Sequence, residues 1–187
     1  SEYLELEVKR RTRDIQRLQD VTIEAMASVA VMRDNPRSRR LARIERYMIG
    51  LATALARQQP ALSELLSEER IAQLGKSAML HVIDRLTLPD RILLSHGEPD
   101  ESDLHLLSEG VIAGCDALER AERKLGSITD FLSDAKDIVY GQHERWDGKG
   151  YPQGLFGEQI PLSARLMALV GHFEELTCQH AYLPAVS

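Results

Sequence analysis

The side chains best suited to chemistry lie in one run near the end of the sequence. The run from Gln142 to Pro152 reads Gln-His-Glu-Arg-Trp-Asp-Gly-Lys-Gly-Tyr-Pro. His143 could act as a metal ligand or a proton carrier, and the two glycines allow the backbone to approach a ligand closely. A single histidine at a helix end is more often a surface or capping residue. The run alone is therefore weak evidence for a site.

A second group of candidate residues is basic. Arg39, Arg40 and Arg43 lie within about one helical turn, so Arg39 and Arg43 share a face and Arg40 lies beside them. One interpretation is a solvated face of an amphipathic helix. The other is a face that lines a pocket, where these guanidinium groups and that of Arg85 are candidate phosphate contacts.

Helical periodicity runs through most of the chain, and no useful strand alternation is present. We therefore predict an all-α fold, with loops over residues 88–100 and 147–157. Gly75 and Gly126 are predicted to end helices. The predicted helices cover residues 1–33, 41–55, 63–74, 76–86, 100–125, 127–143 and 162–177.

The first predicted helix carries a heptad-like stripe on which two of six positions are polar. The stripe consists of Leu4, Val8, Arg11, Ile15, Leu18 and Thr22. Steps of four and three residues are typical of a coiled coil, but a surface helix packed on its own domain can show the same pattern. Both interpretations stay open, and we predict a homodimer through this helix.

Composition limits the classes of function. The sequence has 187 residues and a formal net charge of −6, with 43% hydrophobic and 28% charged residues. These values fit one globular domain and argue against a general DNA-binding protein. No apolar stretch approaches the ~20 residues that a membrane span requires. With only Cys115 and Cys178 and no signal-peptide pattern, we expect a cytoplasmic protein.

A long part of the sequence resembles the HD-GYP family of bacterial signalling domains. The resemblance rests on the Asp-Gly-x-Gly-Tyr-Pro motif at residues 147–152, on the segment Glu158–Arg165, and on two upstream runs, Ala78–His81 and Leu88–Asp90. It implies an HD-domain-like helical bundle over residues 26–187, preceded by a linker helix over residues 1–25. Family members usually continue with further helices, so we expect this domain to be incomplete at its C-terminal end.

The resemblance also implies a function. Family members hydrolyse cyclic di-GMP at a site of two or three metal ions of the Fe or Mn type, and they usually follow a receiver or sensor domain. Their Gly-Tyr-Pro loop has been linked to contacts with GGDEF diguanylate cyclase domains. The resemblance therefore suggests a response-regulator output domain. The loop residues implied to make the contact are Asp147, Gly148, Gly150, Tyr151 and Pro152.

At the metal ligands the sequence departs from the family. The family motif His-Asp-x-Gly-Lys reads His-Val-Ile-Asp-Arg over residues 81–85, and only His81 and His143 keep the identity of a ligand. His172 lies about 100° around the helix from the position of the final ligand and is a poor substitute. The replaced ligand positions are Pro36, Arg40, Val82, Glu109, Gln142 and Gly171.

We therefore expect neither a catalytic residue nor a bound metal, because the carboxylate that would bridge two metals is replaced by Val82. The expected function is that of an inactive HD-GYP-like domain that signals through protein contacts, with a GGDEF protein as the partner. The alternatives are a weak cyclic di-GMP phosphodiesterase and a receptor that binds cyclic di-GMP without cleaving it. We also expect Arg40 or Arg43 to pair with Glu109 across the pocket.

Overall fold

The computed structural model describes residues 2–32, 39–95 and 98–177, and these parts of the chain contain eight α-helices and no strand. The predicted all-α class is confirmed. None of the described helices is long and apolar enough to cross a bilayer. The α-helices are α1 Glu2–Met32, α2 Arg40–Gln58, α3 Pro60–Ser63, α4 Glu68–Ala78, α5 Asp90–Leu93, α6 Glu101–Leu125, α7 Asp130–Gly141 and α8 Leu162–Thr177.

Two 3₁₀ segments complete the described elements. The first, η1 Met79–Arg85, follows α4 directly, and the second, η2 Gly157–Gln159, lies before α8. The sequence predicts a helical period over residues 76–86. Residues 79–85 of this stretch form the 3₁₀ segment η1, which winds more tightly than an α-helix, so different side chains share a face. This difference matters because η1 carries His81.

The core consists of two apolar clusters that meet at α7. One lies among α2, α4, α7 and α8 and includes Ile44, Met48 and Ile138, none of which has exposed surface. The other lies among α1, η1, α6 and α7 and includes Ala27 and Val82. Burial of these side chains supplies the main driving force that holds α2, α7, α8 and η1 around one pocket.

Local capping chemistry defines both ends of α6, and the prediction that Gly126 ends this helix is confirmed. Asp100 accepts a hydrogen bond from the backbone N–H of Asp103, and the Asp103 carboxylate accepts in return from the N–H of Asp100. Gly126 ends the helix with a φ of 73°, a left-handed conformation that glycine adopts without steric cost. Both ends of the predicted helix over residues 100–125 are thus explained by local sequence.

The prediction that Gly75 ends a helix is wrong. Gly75 lies inside α4, where an added Cβ would come within 2.8 Å of the Ile49 side chain on α2. The missing side chain allows α2 and α4 to approach closely, so this glycine serves packing rather than termination. The loop predicted over residues 88–100 also contains the short helix α5.

Glycines in α2 and α6 give a matched test of the packing on η1. An added Cβ at Gly110 would lie 2.6 Å from the Asp84 backbone oxygen, whereas one at Gly50 would have no neighbour within 4 Å. We expect Gly110→Ala to lower the free energy of unfolding by about 1–3 kcal/mol through overpacking. Gly50→Ala should raise it by about 0.5–1 kcal/mol, because alanine favours the helix. Urea denaturation measures both, and equal effects would contradict this account of the α6–η1 contact.

Candidate functional site

His81 lies at the centre of the candidate site, and η1 holds it almost completely buried, with 3% exposed surface. Its Nδ1 lies 2.7 Å from the Ala78 carbonyl oxygen and must donate, since a carbonyl can only accept. Burial and the neighbouring Arg40 and Arg85 charges lower its pKa well below the usual value. His81 is therefore neutral at pH 7, with the lone pair on its buried Nε2.

Asp84 is a site residue that the sequence analysis missed. It is 4% exposed, and its Oδ2 accepts hydrogen bonds from His143 Nε2 at 2.7 Å and Gln142 Nε2 at 3.1 Å. The same Gln142 nitrogen donates to the His81 carbonyl oxygen at 2.8 Å. Two predicted ligand positions in the turn after α7 are thus linked to η1 by hydrogen bonds to one carboxylate.

Two arginines of α2 enter the pocket and meet a buried carboxylate of α8. Arg43 Nη2 lies 2.5 Å from Glu174 Oε1, and Arg40 Nε lies 3.4 Å from Glu174 Oε2. Glu174 has no exposed side-chain surface, and Arg40 is 5% exposed. Arg40 and Arg43 therefore make buried or partly buried ion pairs, whereas Arg39 is exposed to solvent.

A second carboxylate extends this network to η1. Glu175 Oε1 lies 3.6 Å from Arg40 Nη2 and 3.9 Å from Arg85 Nη2. Unlike its neighbour in sequence, Glu175 is 49% exposed. The network thus joins α2, α8 and η1, with its strongest pairs buried and its outer pairs reaching solvent.

The predicted pair between Arg40 or Arg43 and Glu109 is wrong. The Glu109 side chain is 60% exposed, and its Oε1 lies 3.6 Å from Nδ1 of His105, one turn away on α6. The arginines instead meet Glu174, which lies three residues after the replaced ligand position Gly171. Residues three apart share a helix face, so Glu174 reaches the pocket from the following turn of α8.

The other replaced ligand positions differ in their surroundings. Val82 is 2% exposed and belongs to the apolar cluster with Ala27 of α1, so it packs in the core. Gly171 is half-buried beside the Met167 side chain, and His172 is exposed. Pro36 lies outside the described residues.

The Gly-Tyr-Pro loop is built around a buried acid, Glu144, which is 6% exposed. Its Oε1 accepts from the backbone N–H of Gln153 at 2.7 Å and its Oε2 from that of Leu155 at 3.0 Å. An added Cβ at Gly150 would lie 2.4 Å from the Arg145 nitrogen, which explains why no side chain fits there. Pro152 follows Tyr151 through a cis peptide bond.

The loop also meets the pocket. The ring of Tyr151 stacks on that of His143, with centroids 4.9 Å apart and planes 10° apart. Burial, followed by the Asp84 charge, raises the pKa of Tyr151. The tyrosine therefore stays neutral and covers one face of the histidine that bonds to Asp84.

The outer side of the loop is held by a charged pair. Arg145 donates to both carboxylate oxygens of Asp147, at 3.1 and 2.8 Å, and the backbone N–H of Lys149 donates to Asp147 at 3.0 Å. The Arg145 bonds, followed by that N–H, lower the pKa of Asp147 to about 2. Gly148 adopts a φ of 75° in the turn. Hydrogen bonds within the loop thus hold this turn.

The donors of the pocket do not fit a metal pair. Among the described residues, no group of three or more His, Cys, Asp or Glu side chains is placed to hold one ion. His143 directs its Nε2 at Asp84, and Arg40 places a permanent positive charge 3.4 Å from the carboxylate of Glu174. Divalent metals require several carboxylate and imidazole donors directed at one point, and this arrangement directs those groups at each other.

Comparison with known families agrees with this architecture. Residues 22–187 match the sequence profile described as "HD domain". The chain belongs to the HD domain family. A probable cyclic di-GMP phosphodiesterase of Vibrio cholerae is 40% identical over 187 residues, which are 100% of this chain and 42% of that protein.

Two further relatives support an HD-GYP-type member of the family. A cyclic di-GMP phosphodiesterase of Vibrio cholerae is 39% identical over 93% of this chain and 35% of its own length. The cyclic di-GMP phosphodiesterase response regulator RpfG of Xanthomonas campestris pv. campestris is 32% identical over 78% of this chain and 39% of its own length. The chain thus spans less than half the length of these relatives, which connect it with cyclic di-GMP signalling.

The two neighbouring carboxylates of α8 allow a matched test of the ion-pair network. Glu174→Gln keeps the side-chain shape but removes the buried negative charge that Arg40 and Arg43 face. We expect it to lower the free energy of unfolding by about 3–5 kcal/mol, as for other buried pairs that lose one partner. Glu175→Gln, at a half-exposed position, should cost about 0–1 kcal/mol.

Chemical denaturation in urea gives both values, and circular dichroism checks that each variant is folded before denaturant is added. Similar losses for the two variants would show that burial does not decide the strength of these pairs.

Proposed function

We propose that this chain is an HD-GYP-type domain that does not hydrolyse cyclic di-GMP and that acts in cyclic di-GMP signalling through protein contacts. In this proposal residues 1–25 are a linker helix and residues 26–187 the domain. The observation that carries it is the pairing of Arg40 and Arg43 with the buried Glu174 at 3.4 and 2.5 Å, close to His81, where the resemblance to the family leads us to expect a metal ligand.

The charges around Glu174 and Asp84 explain why we expect no hydrolysis. A hydrolytic metal pair needs anionic ligands that offset four positive charges and hold a water between the ions. In this pocket Glu174 is already neutralised by arginines, and Asp84 accepts from His143 and Gln142. Adding a divalent ion beside Arg40 would place like charges together in a buried site, where screening by water is weak.

A hydrolysis assay tests the loss of activity. The protein is incubated anaerobically with cyclic di-GMP and either Mn²⁺ or Fe²⁺, beside its His81→Ala variant and the Vibrio cholerae cyclic di-GMP phosphodiesterase as a positive control. We expect the wild type to release no more linear dinucleotide than His81→Ala, because the pocket lacks a donor set for two metals. Turnover that disappears in His81→Ala would identify a weak phosphodiesterase and would overturn the proposal.

A second candidate function is a receptor that binds cyclic di-GMP without cleaving it. The observation that favours it is the third arginine, Arg85, whose side chain keeps 25% of its surface exposed at the mouth of the network. Guanidinium groups bind phosphate through paired hydrogen bonds. Isothermal titration with cyclic di-GMP separates the candidates, since saturable binding that weakens in Arg85→Met would favour the receptor.

The contact surface in the main proposal is the Gly-Tyr-Pro loop, and its partner is a GGDEF-domain protein. Support comes from its fixed shape and from two large exposed side chains beside it, Trp146 at 64% and Phe156 at 60% exposed surface. Aromatic side chains on a rigid platform are typical of binding hot spots.

A pull-down tests this surface with a GGDEF-domain protein as the bait. We expect Trp146→Ala and Tyr151→Ala to reduce recovery about fivefold or more, the loss that follows removal of a hot-spot side chain. Tyr3→Ala, at a 79% exposed aromatic on α1, is the matched control and should leave recovery unchanged. Equal recovery of all four proteins would exclude the loop as the contact surface.

A further inference from the structure

Helix α1 presents apolar residues on two opposite faces, and only one of them is covered. From Ile23 onward one face packs on the rest of the domain. Its buried members are Ile23, Ala27, Ala30 and Val31. They belong to the apolar cluster that includes Met79, Leu80 and Val82 of η1. This contact buries the apolar residues on one side of α1.

The heptad stripe lies on the other side and continues along the whole helix. Beyond Thr22 it extends in the same steps through Ala25, Val29 and Met32, and each of its nine positions is exposed. Six of its apolar side chains keep between 60% and 68% of their surface exposed, namely Leu4, Val8, Ile15, Leu18, Val29 and Met32. The described part of the domain therefore packs on the face opposite the stripe, and none of the described residues covers the stripe.

We propose that this stripe is a self-association surface, through which two copies of the chain form a parallel, in-register two-stranded coiled coil from Leu4 to Met32. The 31 residues of α1 give about four heptads, enough for a sustained coiled-coil pattern. The proposal concerns α1 alone and does not depend on the chemistry of the pocket.

The residue types along the stripe favour two strands. If Leu4 takes heptad position d, the a positions are all β-branched. They are Val8, Ile15, Thr22 and Val29. The d positions include Leu4, Leu18 and Met32. β-Branched residues at a with leucine at d favour parallel dimers over higher oligomers.

The charges on and beside the stripe are compatible with the binding of a second copy of α1. Arg11 is the one charged residue of the stripe, and its Nε lies 3.0 Å from Glu7 Oε1 on the same helix, which offsets its charge. At the flanking g and e positions, Val21 and Met26 are 63% and 58% exposed. In a parallel pair each Val21 lies beside Met26 of the second copy. A full-length antiparallel pair would instead place Val21 beside Asp14 of that copy, so the apolar flank favours the parallel orientation.

Two exposed leucines on different faces of α1 provide a matched test of association. Leu18→Glu places a charge in the stripe, whereas Leu6→Glu places the same charge outside it at a site with 61% exposed surface. We expect sedimentation equilibrium to show a dimer for the wild type and for Leu6→Glu. For Leu18→Glu the dissociation constant should rise at least about tenfold. A monomeric wild type, or equal effects of the two variants, would overturn the proposal.

Cysteine cross-linking tests the parallel register. In a Cys178→Ser background, Ala25→Cys lies in the stripe and Glu24→Cys lies next to it but outside it; the native Cys115 is buried. In an in-register parallel dimer the two residues at position 25 are close enough for a disulfide. Mild oxidation should therefore give covalent dimers of Ala25→Cys in large excess over Glu24→Cys. A dimer in which Ala25→Cys fails to cross-link would overturn the parallel arrangement.

Discussion

A carboxylate without exposed surface has to be neutralised where it lies, and Glu174 imposes this condition on the pocket. Its partners must come from α2, because Arg40 and Arg43 are within ionic reach there. Helices α2 and α8 are therefore held at the spacing of an arginine–carboxylate pair. Burial of such a pair need not add net stability, but it makes each member dependent on the other.

Around that pair, the segment η1 is fixed from several sides. Gly110 on α6 lets the helix backbone come close to the Asp84 carbonyl, α1 packs on the apolar side of η1, and Gln142 bonds to the His81 carbonyl oxygen. The positions of His81 and Asp84 are therefore set by contacts from α1, α6 and the turn after α7.

Local sequence explains much of the fold. The end signals of α6 and the apolar periodicity of α8 predicted both helices within a few residues, because capping and amphipathic burial act locally. Gly75 was misinterpreted because its role depends on Ile49 of another helix, which no local pattern shows. The 3₁₀ winding of η1 was not predicted for the same reason, because it depends on packing against other elements.

The structure brings together three positions that the sequence analysis named, His81, Gln142 and His143, through hydrogen bonds to η1. Asp84 and Glu174 were missed because the alignment compares only the residues at the ligand positions themselves. A side chain from a neighbouring position in the sequence can reach the same place in the structure. For Glu174 a signal existed: it lies three residues after Gly171 and so on the same helix face. For Asp84, the 3₁₀ geometry of η1 had to be known first.

The space denied to a side chain at Gly150 bears on how motifs are interpreted. Any larger residue there would collide with the backbone of the preceding turn, and Glu144 ties the rest of the loop to its own amide groups. Selection for a folded domain would then be sufficient to keep the Asp-Gly-x-Gly-Tyr-Pro signature, whatever becomes of the reaction. A genome survey that counts this motif would therefore count proteins that share the loop structure. To estimate how many of them degrade cyclic di-GMP, the survey would have to examine the pocket residues instead.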